Sequence, residues 1–101
     1  MDTNLKYDDG KIKMGLVHTG LAKPLAEIGE ILTYGADKYK ADSWQNLDNG
    51  VERYTHALYR HLNAYHLGEE RDQESGKRHL AHAATNLLFL LHLIEPTDNS
   101  L

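Results

Sequence analysis

Three stretches of this chain carry apolar residues at the three- and four-residue spacing of an α-helix, and that pattern constrains the fold more than any other feature. The predicted helices cover residues 21–39, 50–68 and 77–95. A proline suits the first turn of the first helix, a glycine ends the second, and a proline follows the third. The apolar stripes consist of Leu25, Ile28 and Leu32, then of Val51, Tyr54, Leu58, Leu62 and Tyr65, and finally of Leu80, Ala83, Leu87, Leu91 and Ile94.

The segments between these helices are polar. Residues 1–20 are predicted to form an N-terminal arm, in which DDGK marks a turn and KIKMGLV alternates like a short extended segment. Residues 40–49 and 69–76 are predicted to be loops, and residues 97–101 a tail. We therefore predict a single all-α domain, with three main helices plus an N-terminal arm.

The size and composition of the chain limit its partners and its location. A bundle of three helices in 101 residues leaves apolar side chains on its flanks uncovered. We therefore expect a homo-oligomer, a dimer or tetramer, to cover them and complete the helical bundle. The net charge of −4 argues against binding of duplex nucleic acid. The chain has no cysteine and no apolar run long enough to cross a bilayer, so we expect a cytoplasmic protein that does not span a membrane.

Each predicted helix also carries a polar stripe, and the first of these is acidic. Glu27 and Glu30 are one turn apart and supply the hard oxygen ligands that Mg²⁺ or Mn²⁺ accepts while it also binds a polyphosphate. Surface helices are rich in glutamate, so a solvated face is the competing interpretation.

The second polar stripe is basic. Arg53 and Arg60 lie on one side of the second helix with His61 beside them, and two guanidinium groups can bind phosphate oxygens bidentately. The competing interpretation is that these arginines form ion pairs with acidic residues elsewhere in the chain.

The third polar stripe contains His79, His82 and Asn86. Two imidazoles one turn apart can bind a transition metal or transfer protons near neutral pH. A histidine next to a leucine stripe can equally be a hydrogen-bonded core residue.

Two further groups complete the candidate site. If the segment after the second helix continues that helix, Glu69 and Asp72 join Glu27 and Glu30 in a four-carboxylate metal site; otherwise they belong to an ordinary acidic loop. Trp44, in a polar loop, is a candidate for stacking on a purine base, and core filling is its alternative.

The segments DDGKIK, LTYGADKYKADSWQN, RHLNAYHLGEERDQESG and HLAHAATNLLFL together resemble the dATP/dGTP diphosphohydrolase N-terminal domain family. That family is placed in the wider MazG-like group of all-α nucleoside triphosphate pyrophosphohydrolases, and the resemblance runs from about Leu5 to Ile94. It implies an oligomeric, Mg²⁺- or Mn²⁺-dependent enzyme that cleaves a purine deoxynucleoside triphosphate to the monophosphate and pyrophosphate. It also implies phage origin, with activity in the host cytoplasm.

The resemblance adds to the candidate residues. In the wider group, a Glu-x-x-Glu pair and a Glu-x-x-Asp pair hold the metals. Glu27 and Glu30 match the first pair. Glu69 and Asp72 have the residue types of the second, and His79 and His82 on the third helix are the alternative for its place. The matching segments also contain other candidates without assigning each a chemical role: Lys38, Arg60, His61, His79, His82 and Asn86.

The sequence therefore predicts hydrolysis by a metal-bound water, with a carboxylate or a histidine accepting its proton. Arg53 and Arg60, with Lys11 or Lys13 from the arm, are expected to neutralise the leaving pyrophosphate. Two alternatives remain open. One is a non-catalytic nucleotide-binding sponge or regulator, and the other is a helical scaffold whose polar stripes are only solvated.

Overall fold

A computed structural model of the protein describes residues 9–97. It contains four α-helices, named α1 (Gly15–Gly20), α2 (Ala22–Lys38), α3 (Gly50–His66) and α4 (His79–Leu93), with a 3₁₀ helix at Ser43–Asn46 between α2 and α3. These described residues form no β-strand beyond one isolated bridge. The prediction of an all-α fold is confirmed. Over the same range, no helix has both the length and the apolar character needed to cross a membrane.

The helices α2, α3 and α4 correspond to the three predicted helices and differ from them by two residues or fewer at each end. The glycine stop after α3 is confirmed, because Gly68 adopts φ 99° and its N–H bonds to the carbonyl of Tyr65. That left-handed backbone conformation favours glycine over residues that carry a Cβ atom.

The extended conformation predicted for KIKMGLV in the arm is wrong from Gly15 onward, where the chain forms α1. The N–H groups of Val17 and His18 both bond to the carbonyl of Met14. The alternating residues of this segment also fit a helix, because Met14, Val17 and Leu21 follow one another at intervals of three and four. Residues 1–8 lie outside the described part of the chain.

The helices α3 and α4 pack on each other most extensively, and α2 lies against α4 through a smaller interface. An aromatic cluster fixes the 3₁₀ helix to this pair. The Trp44 ring stacks on Phe89 with centroids 4.3 Å apart, and Tyr54 meets Phe89 at 4.8 Å. The Tyr54 hydroxyl also donates a hydrogen bond of 2.8 Å to the carbonyl of Trp44.

The apolar core of a single chain is small. Among residues 9–97, the buried apolar side chains are Ile31, Ala81, Ala83 and Leu90. Four members of the predicted third stripe remain exposed: Leu80 at 36%, Leu87 at 49%, Leu91 at 70% and Ile94 at 51%.

Residues 69–78 form a short hairpin, hereafter called the hairpin, between α3 and α4. Arg71 and Arg78 form an antiparallel bridge, and the N–H of Asp72 bonds to the carbonyl of Lys77 at 2.8 Å. Gly76 closes the turn with φ 74°. The possibility that this segment continues the second helix is wrong, because α3 ends at His66.

Candidate functional site

A polar cleft of about 300 Å³ lies where the hairpin meets α2. Its lining contains two carboxylates from α2, three cationic side chains from the hairpin and one glycine: Glu27, Glu30, Arg71, Lys77, Arg78 and Gly76. Opposite charges therefore face each other across a concave surface, which is the arrangement that an anionic ligand with a bound cation requires.

The strongest interaction in the cleft joins Arg78 to Glu27. The Arg78 Nε donates to Glu27 Oε1 at 2.7 Å and Nη2 donates to Oε2 at 2.6 Å, so the pair is bidentate. The hydrogen bonds from Arg78 lower the pKa of Glu27, against a smaller opposing effect of burial. Glu30 is held less tightly, since its Oε2 lies 3.7 Å from Lys77 Nζ and its side chain is exposed.

A second polar link ties the hairpin to the end of α2. The Lys38 ammonium donates to the Glu74 carboxylate, and the Tyr34 hydroxyl donates to the same oxygen at 3.3 Å. The Lys38 ammonium lowers the pKa of Glu74, while the carboxylate raises that of Lys38. Lys38, a candidate site residue, thus pairs with the hairpin and does not line the cleft.

A histidine cluster lies on α3 and α4 and consists of His61, His79 and His82. The Nδ1 atoms of His61 and His79 are 2.8 Å apart, and the His61 and His82 rings stack with centroids 4.5 Å apart. His79 is buried, with 4% of its surface exposed. Its Nε2 lies 2.6 Å from Glu69 Oε1.

The hairpin completes this cluster. Asp72 Oδ2 accepts the backbone N–H of Ser75 at 2.9 Å, and Ser75 Oγ lies 2.7 Å from His82 Nε2. Ligand atoms of His61, Asp72 and His79 all lie within 4.8 Å of one another. Among the described residues, no other group of three or more potential metal-binding side chains comes together in this way.

The environment of the cluster favours the neutral form of His61 and His82. Burial, together with the neighbouring His82 and His79, lowers the pKa of His61 from 6.5 to about 4. Burial also lowers the pKa of His82. Burial alone raises the pKa of Asp72, but hydrogen bonds from Ser75 outweigh it, so the net pKa is lowered and the group is a carboxylate at neutral pH.

The structure divides the predicted site residues between these two places. Glu27 and Glu30 line the cleft, whereas Glu69, Asp72, His61, His79 and His82 belong to the cluster. Within residues 9–97 of one chain, the four predicted carboxylates do not form a single group. The physical reason is the hairpin, which engages Glu69 with His79 and Asp72 with Ser75.

The remaining predicted residues lie elsewhere. Arg53 and Arg60 are exposed on α3, and Arg53 lines a separate pocket beside residues 40–48. Trp44 packs against Phe89, with one ring face covered. Asn86 is buried in α4, where its Nδ2 donates to the carbonyl of His82 at 2.8 Å.

Sequence reasoning missed the three cations of the cleft, Arg71, Lys77 and Arg78, together with Ser75. These residues lie in or next to a segment predicted to be a loop, so a search for polar stripes on helices does not find them. The available signal was local, because a Ser-Gly turn flanked by charges of both signs is typical of a hairpin turn.

Comparison with known proteins agrees with the resemblance found in the sequence. The profile of a family described as "dATP/dGTP diphosphohydrolase, N-terminal" matches residues 1–99. A protein of Salmonella phage PMBT28 named dATP/dGTP diphosphohydrolase is 33% identical over 98 residues, covering 97% of this chain and 32% of that protein. The chain therefore spans about a third of the length of this relative. No solved structure matches the chain significantly.

The neutral state of His61 makes the stability of the fold depend on pH. Because the folded chain holds the pKa of His61 at about 4 and the ordinary value is 6.5, the unfolded chain binds the proton first as the pH falls. The free energy of unfolding should therefore drop between those values, by on the order of 1–3 kcal/mol. Urea unfolding in the presence of EDTA measures this drop.

A His61→Gln variant is the reference for that measurement. The variant lacks the titrating imidazole, so its free energy of unfolding should fall less than that of the native chain over the same pH range. An equal loss in both proteins contradicts the assignment of this pH dependence to His61.

Proposed function

The chain belongs to the dATP/dGTP diphosphohydrolase N-terminal family, and from that premise we propose that it hydrolyses a purine deoxynucleoside triphosphate to the monophosphate and pyrophosphate. The observation that carries the proposal is the cleft between α2 and the hairpin, where two carboxylates face three cations. A triphosphate with its divalent cation needs both kinds of group close together. The name of the phage relative, dATP/dGTP diphosphohydrolase, supports the substrate class.

The hairpin supplies the phosphate side of the proposed site. Arg71 and Arg78 offer planar guanidinium groups for bidentate contacts with phosphate oxygens, and Lys77 adds a compact charge. Arg78 is bonded to Glu27. A bound phosphate would compete with that carboxylate for the guanidinium and would free Glu27 for a cation. In this proposal the hairpin cations neutralise the phosphates, which is the role that the sequence predicted for Arg53 and Arg60.

The α2 carboxylates supply the metal side. Glu27 and Glu30 are oxygen donors one turn apart, and this donor set fits Mg²⁺ or Mn²⁺, which commonly binds one or two carboxylates together with substrate phosphates. Such an ion polarises phosphoryl oxygens and lowers the pKa of a bound water. Glu69 and Asp72 are engaged in the histidine cluster, so we leave them out of this set.

We assign Glu30 as the group that accepts the proton of the attacking water. Its carboxylate lines the cleft, and its charged partner Lys77 lies at 3.7 Å, beyond hydrogen-bonding distance. Glu27, held by two short hydrogen bonds, is less available for proton transfer. His79 and His82, also predicted as catalytic, do not line the cleft.

A nucleotide-binding role without cleavage is the second candidate. The observation that favours it is the limited coverage of the phage relative, since a match to 32% of that protein leaves room for catalytic groups in the rest of it. The same cleft then binds the nucleotide and leaves it intact.

Glu30→Gln tests the proposed hydrolysis. The native chain should convert dGTP or dATP with Mn²⁺ to the monophosphate and pyrophosphate, as followed by phosphorus NMR. Loss of the proton acceptor should lower kcat/KM by at least about 100-fold. Glu52→Gln, an exposed glutamate on α3, is the matched control and should leave kcat/KM unchanged.

Two results would contradict this account. A Glu30→Gln variant as active as the native chain excludes the assigned role of Glu30. A nucleotide that binds the native chain and is recovered intact after prolonged incubation with Mn²⁺ excludes hydrolysis and favours sequestration.

We further propose that the exposed apolar stripe of α4 is covered by a second copy of the chain. Leu87, Leu91 and Ile94 follow one another at helical spacing and are all about half exposed or more. An exposed stripe of this kind on a small core is typical of an oligomer interface.

Leu91→Glu tests this interface. The native chain should form a dimer or tetramer at micromolar concentration, and a buried carboxylate should weaken that association by at least about 100-fold. Sedimentation velocity measures the oligomeric state. Leu67→Glu is the control, because Leu67 is 80% exposed and lies after the end of α3. A monomeric native chain, or equal association of both variants, contradicts the proposal.

A further inference from the structure

We propose that His61, Asp72 and His79 form a binding site for one divalent transition-metal ion of the Zn²⁺ class, separate from the cleft. The three side chains come from α3, the hairpin and α4, and their ligand atoms lie within 4.8 Å of one another. Two imidazoles and a carboxylate suit Zn²⁺, Co²⁺ or Mn²⁺, whereas Mg²⁺ prefers a shell of oxygen atoms.

The contacts of His79 leave a lone pair on the ring nitrogen that faces His61. Glu69 Oε1 lies 2.6 Å from His79 Nε2, so Nε2 carries the hydrogen and donates it to the carboxylate. In the neutral form of His79 the other nitrogen, Nδ1, carries a lone pair and faces His61. Metal-bound histidines characteristically donate their second ring N–H to a carboxylate in this way, which fixes the tautomer and orients the ring.

The facing nitrogen of His61 completes the pair. Its Nδ1 lies 2.8 Å from that of His79, so without a cation His61 carries the hydrogen that the two atoms share. When this hydrogen moves from Nδ1 to Nε2 of His61, a metal ion can take its place between the two Nδ1 atoms. The exchange leaves the charge of both imidazoles unchanged, so no group has to bind or lose a proton overall.

Asp72 supplies the third ligand. Its Oδ2 accepts the backbone N–H of Ser75, which leaves its other oxygen for the ion. The ligand atoms lie within 4.8 Å of one another, and neighbouring ligands in a tetrahedral shell are about 3.4 Å apart. A small rotation of the half-buried Asp72 side chain brings its oxygen to that spacing, whereas His79 is fixed by burial.

The consequence is a metal staple for the hairpin. Its three ligands tie α3, α4 and the hairpin together at one point, in a chain whose own apolar core is small. Asp72 directly follows Arg71 in the hairpin, so the ion would also restrain the strand that carries the cleft's arginine. The site does not depend on the proposed hydrolysis, because it needs neither nucleotide nor the α2 carboxylates.

Co²⁺ titration of the chelator-stripped full chain tests the site. One equivalent should produce the visible absorption bands of protein-bound Co²⁺. Zn²⁺ should abolish these bands and excess Mg²⁺ should not. Zn²⁺ should also raise the melting temperature of the native chain.

Variants identify the ligands. Asp72→Asn keeps an oxygen for the Ser75 N–H, and it and His61→Gln should each weaken Co²⁺ binding by at least about 100-fold, whereas Glu69→Gln should weaken it by about 10-fold to 100-fold. His56→Gln, an exposed histidine on the same helix as His61, is the matched control. Glu30→Gln should also leave Co²⁺ binding unchanged, which separates this site from the cleft.

Circular dichroism verifies that each variant is folded. The proposal is overturned if the native chain gives no Co²⁺ bands and no Zn²⁺-dependent rise in melting temperature. It is equally overturned if folded Asp72→Asn and His61→Gln bind Co²⁺ as tightly as the native chain.

Discussion

The bidentate ion pair between Arg78 and Glu27 joins α2 to the rest of the molecule. Apolar packing alone attaches α2 only weakly. Within the described residues, Ile31 is the only buried apolar side chain of this helix. The pair between Lys38 and Glu74 holds the same helix at its other end. Charged contacts with the hairpin thus determine where α2 lies, and that position creates the cleft.

The hairpin serves two groups of residues at once. Arg71, Lys77 and Arg78 line the cleft, whereas Asp72 and Ser75 meet the histidines of α3 and α4. One backbone segment therefore positions both groups. The proposed nucleotide site and the proposed metal staple are chemically distinct, yet both depend on this one segment.

The helices were predictable because their apolar residues repeat at helical spacing. The helix α1 was missed because a short stretch of alternating residues also fits a strand. In the site, Glu27 and Glu30 were correctly placed on one side of α2. Their expected partnership with Glu69 and Asp72 required α3 to continue, but the chain leaves the helix after His66 and folds into the hairpin. Contacts made by such a turn depend on tertiary structure, which no helical period encodes.

The central claim is that the cleft between α2 and the hairpin binds the triphosphate. Backbone NMR of the isotope-labelled chain, titrated with a non-hydrolysable dGTP analogue and Mg²⁺, tests it without requiring turnover. We predict that the largest shifts occur at the residues that line the cleft: Glu27, Glu30, Arg71, Lys77 and Arg78. Shifts confined to Arg53 and the pocket beside residues 40–48, or no shifts at all, would contradict it.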